Sequence, residues 1–333
     1  MIEYLRNNEI DKDQWDNCIR NSHVKKPYGY SWYLDNMAPG WQALVDDEYD
    51  SVFPIPGFKR FGIQYIATPV FLQQLGAFSP DKPSPDVLNE FLEYLPEFYK
   101  LIDLCVAQNV KPDRFRITEK SNFELDLSLP YEKIREGFTS DCRRNISLAA
   151  KKKPELTSDI NPEELITLFK ENTGLKLRGI KLRDYDRLKN LMTYCTANKK
   201  GKIIGVRTTG KRLIYGAFLV RIHGSLTLLF TATTSESLEK RTGYFAIDEI
   251  IKENSGTRNI LDFAGSSIPS VAAFMKSFGG INVPYYRIYR NRLLWPARML
   301  KMQLQSCRKR LKRAAASWKR CKSGCILKRS HGG

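Results

Sequence analysis

The sequence predicts an α/β (α+β) chain of two similar halves, each a mixed, mainly antiparallel sheet flanked by helices, followed by a short basic tail. Three observations carry this. The chain has 333 residues, 42% of them hydrophobic, enough for two domains that each bury a core. Its apolar pattern alternates between the strand period and the helix period, and the order strand, helices, strand meander, helix, strand occurs twice. Near residue 300 the composition shifts abruptly to Lys, Arg and small residues.

In the first half, residues 2–6 read as a strand and 11–21 as a helix, with Asp11 placed to accept hydrogen bonds from the free N–H groups of the first turn. A second helix is expected over 32–37. Residues 41–45, 51–55 and 63–67 are apolar or alternating runs separated by Asp, Pro and Gly breaks, the pattern of neighbouring antiparallel strands. An amphipathic helix is expected over 88–99, then a strand over 101–107 and another over 123–127, which is expected to end the first sheet. Residues 131–153 read as one long helix stopped by Pro154, which has no N–H to donate and clashes with the preceding turn.

The domain boundary is expected there, dividing the chain into 1–150, 151–298 and a tail over 299–333. The pattern then restarts. A strand is expected over 155–160, and helices over 162–172, with Asn161 as cap, and 185–197. Strands over 203–207, 212–222 and 225–233 are joined by the turns Thr209-Gly210-Lys211 and His223-Gly224. A helix over 237–254, a strand over 259–263, a helix over 270–278 and a strand over 285–290 complete it.

The net charge of +18 is concentrated at the end: residues 301–333 hold 11 Lys and Arg and no acid, so removing them leaves +7 on residues 1–300. The body therefore has an ordinary mixed surface, and the tail alone suits a phosphate-rich partner such as tRNA or an anionic surface, with a solvated tail as the plain alternative. Seven cysteines, an odd number without paired spacing in the body, suit a reducing, cytoplasmic compartment. Cys321 and Cys325 lack the further ligands that zinc requires, so no metal is expected. No apolar run reaches the roughly 18 residues of a spanning helix.

The segment with most chemical content is Glu239-Lys240-Arg241-Thr242-Gly243-Tyr244, where a strand delivers the chain to a basic, Gly-containing helix start. Free N–H groups, cations and a glycine that admits close approach make an anion site suited to the pyrophosphate of coenzyme A. Lys240, Arg241, Gly243 and Tyr244 are the expected cofactor-binding residues, and a solvated helix start is the alternative. Tyr30 and Trp32, in a dense aromatic cluster, and the pair Gln73 and Gln74 suit a sugar or peptide acceptor through ring stacking and amide hydrogen bonds, with core packing of the aromatics as the alternative. Arg143, on the helix that links the two halves, is expected to face a cleft between them, with a solvent-facing position as the alternative. Asp262, at a strand end, and Ser266 beside it are the candidate catalytic residues, with turn and helix-cap roles as alternatives.

Several segments resemble the Fem-like double-GNAT proteins, a group related to cell-wall peptidyltransferases and including the FemAB-like acetyltransferase domain. They are Asp262-Phe263-x-Gly265-Ser266, Phe274-x-x-x-Phe278-Gly279-Gly280, Arg143-Arg144-Asn145-Ile146, PYGYSWYLD from Pro27 and PVFLQQLGAFS from Pro69, and the resemblance spans about residues 1–298. It implies tandem GNAT-like domains, the second holding acyl-CoA (acetyl-CoA) as co-substrate and the first holding the amine of a sugar, peptide or cell-envelope precursor. Transfer of an acyl group to that amine is the implied reaction. Two readings stand beside it: tRNA-dependent aminoacyl transfer, and a non-catalytic binding protein on the same fold. The sequence departs from the family pattern by placing Phe245 where the phosphate loop carries Gly or Ala, Met275 where many members place a tyrosine acid, and Ala264 where Glu is common.

Overall fold

Alternating apolar residues and capped amphipathic segments give the first half, in order, β1 (Ile2–Leu5), α1 (Lys12–Asn21), a 3-10 turn at Pro27–Gly29, α2 (Ser31–Met37), β2 (Gln42–Asp46), β3 (Ser51–Ile55), β4 (Gly57–Arg60) and β5 (Ile63–Ala67). Then come α3 (Ser84–Glu93), β6 (Tyr99–Val106), β7 (Arg116–Lys120), β8 (Phe123–Asp126), α4 (Tyr131–Glu136) and α5 (Ser140–Ala150). The second half consists of β9 (Glu155–Thr157), α6 (Pro162–Glu171), α7 (Leu182–Ala197), β10 (Gly201–Arg207), β11 (Leu213–Ile222) and β12 (Ser225–Thr233). After these run α8 (Ser235–Lys240), α9 (Thr242–Asn254), β13 (Ile260–Asp262), α10 (Pro269–Ser277), β14 (Ile281–Asn282) and β15 (Tyr285–Asn291).

This computed structural model describes residues 1–46, 48–80, 84–110, 114–172, 174, 179–265 and 268–294. Ser266 and the tail over 299–333 lie outside the described residues. Among the described residues no helix is long and apolar enough to cross a membrane.

The caps are where the sequence places them. Asp11 accepts from the N–H groups of Asp13 and Gln14, and Asn161 from that of Glu164. Several boundaries differ. The helix expected over 88–99 is α3 and ends at Glu93, ahead of Pro96, so that Tyr99 opens a strand. The single helix expected over 131–153 breaks into α4 and α5, because Gly137 interrupts it and the Thr139 side chain caps the second segment at Cys142 N. The helix expected over 237–254 divides at Arg241, which adopts a left-handed conformation with φ 58°.

Strand pairing corrects the sequence reading more deeply. β8, expected to end the first sheet, lies in the seven-stranded sheet β14-β8-β13-β12-β11-β10-β9. β15, near the end of the described chain, lies in the five-stranded sheet β4-β5-β6-β15-β7, and Arg287 on it makes a two-pronged ion pair with Asp103 on β6 (Nε–Oδ1 2.6 Å, Nη2–Oδ2 2.7 Å). Each half thus lends a strand to the other's sheet, and residues 1–289 cluster as one compact unit. β1, β2 and β3 form a three-stranded antiparallel sheet. The stretch from Leu75 to Phe78 links it to β6, through Phe78 pairing with Val52 and Leu75 with Val106.

Each large sheet contains a parallel pair, β5 with β6 in one and β12 with β13 in the other. Parallel neighbours need a crossover connection. α3 supplies the first, and α8 with α9 the second. The seven-stranded sheet is covered on both faces: one core contains Ile146, Ile250, Ile251 and Met275 from α5, α9 and α10, and the other contains Leu165, Phe169, Leu188 and Leu191 from α6 and α7.

Candidate active site

The parallel register between β12 and β13 lasts only three residues, Ser225 with Ile260, Leu226 with Leu261 and Thr227 with Asp262. Beyond Thr227 the strands part. A bulge on β12 marks the place, since Phe218 opposes Phe230 while Leu219 opposes Leu228, leaving Leu229 unmatched. α10 covers the gap, and a cavity of about 360 Å³ remains, lined by Tyr215, Leu228, Thr231, Phe274 and Met275. Beyond Thr227 the edge of β12 that faces β13 has no ladder partner among the described residues.

Arg241, Gly243 and Tyr244 line the same cavity. Arg241 is the N-cap of α9, and its left-handed backbone turns the chain from α8 into α9 so that the second helix begins against the cavity. The first turn of α9 presents N–H groups that the helix itself cannot satisfy. Gly243 packs beside Tyr215, since a Cβ at that position would lie 3.4 Å from its ring. Of the four expected cofactor-binding residues, three line the cavity. Lys240 does not; its ammonium pairs with Glu236 at 2.6 Å, one turn back on α8. Phe245 packs on the hydrophobic core and leaves the cavity clear.

Tyr215 is a residue the sequence reading passed over. It is buried, burial pushes its phenol well above the usual tyrosine value, and its hydroxyl takes no hydrogen bond among the described residues. An apolar strand with a single tyrosine was the signal available. Met275, at the position where the family pattern places a tyrosine, lines the same cavity.

Asp262 lies on the opposite face of the sheet. Leu261 and Phe263 belong to the core that includes Tyr215 and Met275, so the residue between them points the other way. Register then places Thr227, Asp262 and Glu124 in one row across β12, β13 and β8. Lys26 reaches over the row, its ammonium 2.6 Å from Asp262 Oδ2 and 2.5 Å from Glu124 Oε1. Asp262 Oδ1 accepts the backbone N–H of Ala264 at 2.8 Å. Both carboxylate oxygens of this fully buried residue are therefore engaged. Burial opposes the charge on Lys26, but the two carboxylates outweigh it and hold the ammonium above the usual lysine range.

A polar chain extends from the row. Asn122 Nδ2 donates to Glu124 at 3.4 Å, Gln73 Nε2 donates to Asn122 Oδ1 at 3.2 Å, and Gln74 Nε2 donates to Gln73 at 2.8 Å. Gln73 also hydrogen-bonds Tyr285, whose phenol is pushed up to about 12, chiefly by burial. The Tyr28 hydroxyl and Thr227 Oγ1 are buried without a hydrogen-bond partner among the described residues. The fold thus brings Gln73, Gln74 and Asp262 into one buried network, to which Lys26, Asn122 and Glu124 add groups that no local motif announced.

The remaining candidates lie elsewhere. Tyr30 and Trp32 stack with centroids 5.6 Å apart and line a different, smaller cavity. Arg143 donates to the carbonyls of Glu136 and Phe138, closing the end of α4, and lines neither cavity. Among the described residues no group of three or more His, Cys, Asp or Glu is placed to hold a metal ion.

No family model matches the chain, and no curated protein matches it in sequence. Solved structures match it in fold. FemX is 14% identical with a TM-score of 0.59, the match covering 88% of this chain and 97% of FemX. A conserved protein of unknown function from Bacteroides thetaiotaomicron is 13% identical with a TM-score of 0.54, over 84% of this chain and 96% of that one. L-PGS from Bacillus licheniformis is 12% identical with a TM-score of 0.50, over 87% and 95%. The chain has the fold of the FemAB-like GNAT proteins, as its Asp262-Phe263-x-Gly265 and Phe274-x-x-x-Phe278-Gly279-Gly280 segments suggest.

Proposed function

We propose that the protein is an N-acyltransferase that moves an acyl group from acyl-CoA to an amine on a sugar, peptide or cell-envelope precursor. One observation supports this above the others: the cavity against β11 and β12 and beneath α10 has a mostly apolar lining that also includes Arg241 and the start of α9. An acyl thioester has the matching polarity, an apolar acyl and thioether end joined to a diphosphate. The fold shared with FemX and L-PGS supports acyl or aminoacyl transfer as the broad class.

In this reading the diphosphate lies at the α9 start on Arg241, Gly243 and Tyr244, while the freed edge of β12 aligns and polarises the thioester carbonyl. The amine nitrogen attacks the carbonyl carbon, the carbon–sulfur bond breaks, and the thiolate takes a proton from the Tyr215 phenol. The phenolate then receives the proton the new amide nitrogen gives up, so that one thiol and one amide leave for each thioester and amine consumed. Asp262, read from the sequence as catalytic, acts here as a positioning residue that holds the Ala264 turn. Ser266 stays a candidate beside it. Residues 1–150 supply the acceptor side, with Gln73 and Gln74, and 151–298 the donor side. The free thiols of Cys18, Cys105, Cys142 and Cys195 suit a reducing, cytoplasmic setting.

The test is thermal unfolding of the full chain with acetyl-CoA, longer acyl-CoAs and free coenzyme A. At 100 times its dissociation constant a bound donor adds about 2.7 kcal/mol. A stabilisation that Arg241→Glu removes supports the reading, and no stabilisation by any of them overturns it. The likeness to FemX and L-PGS favours a second reading, an aminoacyl-tRNA donor. A gel shift by charged tRNA without any acyl-CoA stabilisation would select it.

A further inference from the structure

The smaller cavity, beside Tyr30 and Trp32, is built differently from the donor cavity. It has a volume of about 150 Å³ and lies where α1, the aromatic segment before α2, the start of β10 and the β11–β12 turn converge. Its floor is the stacked pair Tyr30 and Trp32, both buried. Trp32 is fixed from behind by Tyr194, stacked with centroids 5.9 Å apart.

Three permanent cations, Arg20, Lys200 and Arg221, line the walls together with His223. The single acid is Asp16, whose Oδ1 accepts the N–H of Ser31 at 2.7 Å and whose Oδ2 accepts the Ser31 hydroxyl at 2.9 Å. Lys200 holds its ammonium over the Trp32 ring, 5.5 Å from the centroid, and Arg221 has one neutral hydrogen-bond partner, Asn254 Oδ1 at 2.6 Å. None of the three cations is ion-paired among the described residues.

The concentration of charge decides what fits. Three cations against one carboxylate leave a net +2 around a cavity of about 150 Å³. A compact dianion with oxygens on all sides matches both charge and volume, and guanidinium groups suit it through parallel N–H···O bonds. We propose that this cavity is a binding site for a phosphate group, the aromatic floor supporting the part of the ligand that carries it. The site is separate from the donor cavity, and the proposal stands or falls independently of the acyltransferase reading.

His223 reports on this site directly. The chain has three histidines, His23, His223 and His331, so the ring-proton resonances of the full chain are few, and His223→Gln identifies the one needed. Inorganic phosphate titrated at pH 7.5 is expected to shift the His223 signals saturably. Acetate and chloride at the same ionic strength should leave them in place. Lys200→Gln and Arg20→Gln, both at exposed or half-buried positions, are each expected to weaken the binding about tenfold, as loss of a charged hydrogen bond does. Arg241→Gln, at the other anion site, should change nothing at His223. A shift that never saturates, one that acetate reproduces, or one that survives both cavity substitutions would overturn the assignment.

Discussion

Lys26 and Asp262 lie 236 residues apart in the sequence and form an ion pair of 2.6 Å in the fold, with Asp262 wholly buried. This pair, with Glu124 as third member, ties the segment before the Pro27 turn to the central strands of the seven-stranded sheet. Lys26→Met is expected to destabilise the protein by about 3 kcal/mol or more, because it leaves a buried carboxylate without its counter-charge. Adding Asp262→Asn and Glu124→Gln should recover part of that loss in chemical denaturation. If Lys26→Met alone is neutral, the ion pair does not hold these elements together.

The same lysine sets a pH dependence. Its value is raised in the fold, so the native state keeps the proton to higher pH than the unfolded chain does. Its contribution is therefore complete below the ordinary lysine value of 10.5 and is lost as pH rises through the folded value. Unfolding free energies measured from pH 9 upward should fall for the natural protein more steeply than for Lys26→Met. Parallel curves would contradict this.

Arg241 combines a strained backbone with a charge that lines the cavity. Its φ of 58° costs an L-residue about 1 kcal/mol that glycine avoids. Arg241→Gly is expected to raise the melting temperature of the protein alone while shrinking the further rise produced by an acyl-CoA. The opposite signs separate the backbone effect from the charge. A melting temperature lowered in both conditions would show that the side chain has a structural role.

Tyr215→Phe removes a hydroxyl that takes no hydrogen bond among the described residues, so stability should change little. If the phenol donates a proton to the leaving thiolate, kcat should fall about a hundredfold with KM for the donor unchanged. An equal rise in KM and an intact kcat would assign Tyr215 to binding only.

Two adjacent positions should respond in opposite directions. Gly265 has φ 43°, and a Cβ there would lie 2.4 Å from the backbone oxygen of Ser121, which cannot swing aside. Gly265→Ala should therefore destabilise by more than about 2 kcal/mol, from strain and overpacking together. Ala264, with φ 53°, already carries the strain, and Ala264→Gly should relieve about 1 kcal/mol. Denaturation midpoints of the two variants check both.

Much of the local structure was legible because its causes are local. Asp11 and Asn161 cap the helices that follow them, and the meander from Gly201 to Thr233 is spelled by alternating apolar residues between polar turns. The basic helix start at Arg241 and Gly243 was legible for the same reason. The left-handed break at Arg241 was not, since nothing marks it but the chain's need to turn from α8 into α9.

By itself, then, the sequence determined the class of fold, the order of most elements, the caps, and which short segments carry polar chemistry, because propensity and periodicity act over a few neighbouring residues. Only the tertiary structure decided which sheet receives β8 and β15, because pairing partners are selected by packing and register across the whole chain. It also decided that Asp262 faces Lys26 and that Tyr215 faces the cavity. A side chain's face is fixed by the strand's alternation once a core exists on each side, and both cores of the seven-stranded sheet are assembled from residues that lie far apart in sequence.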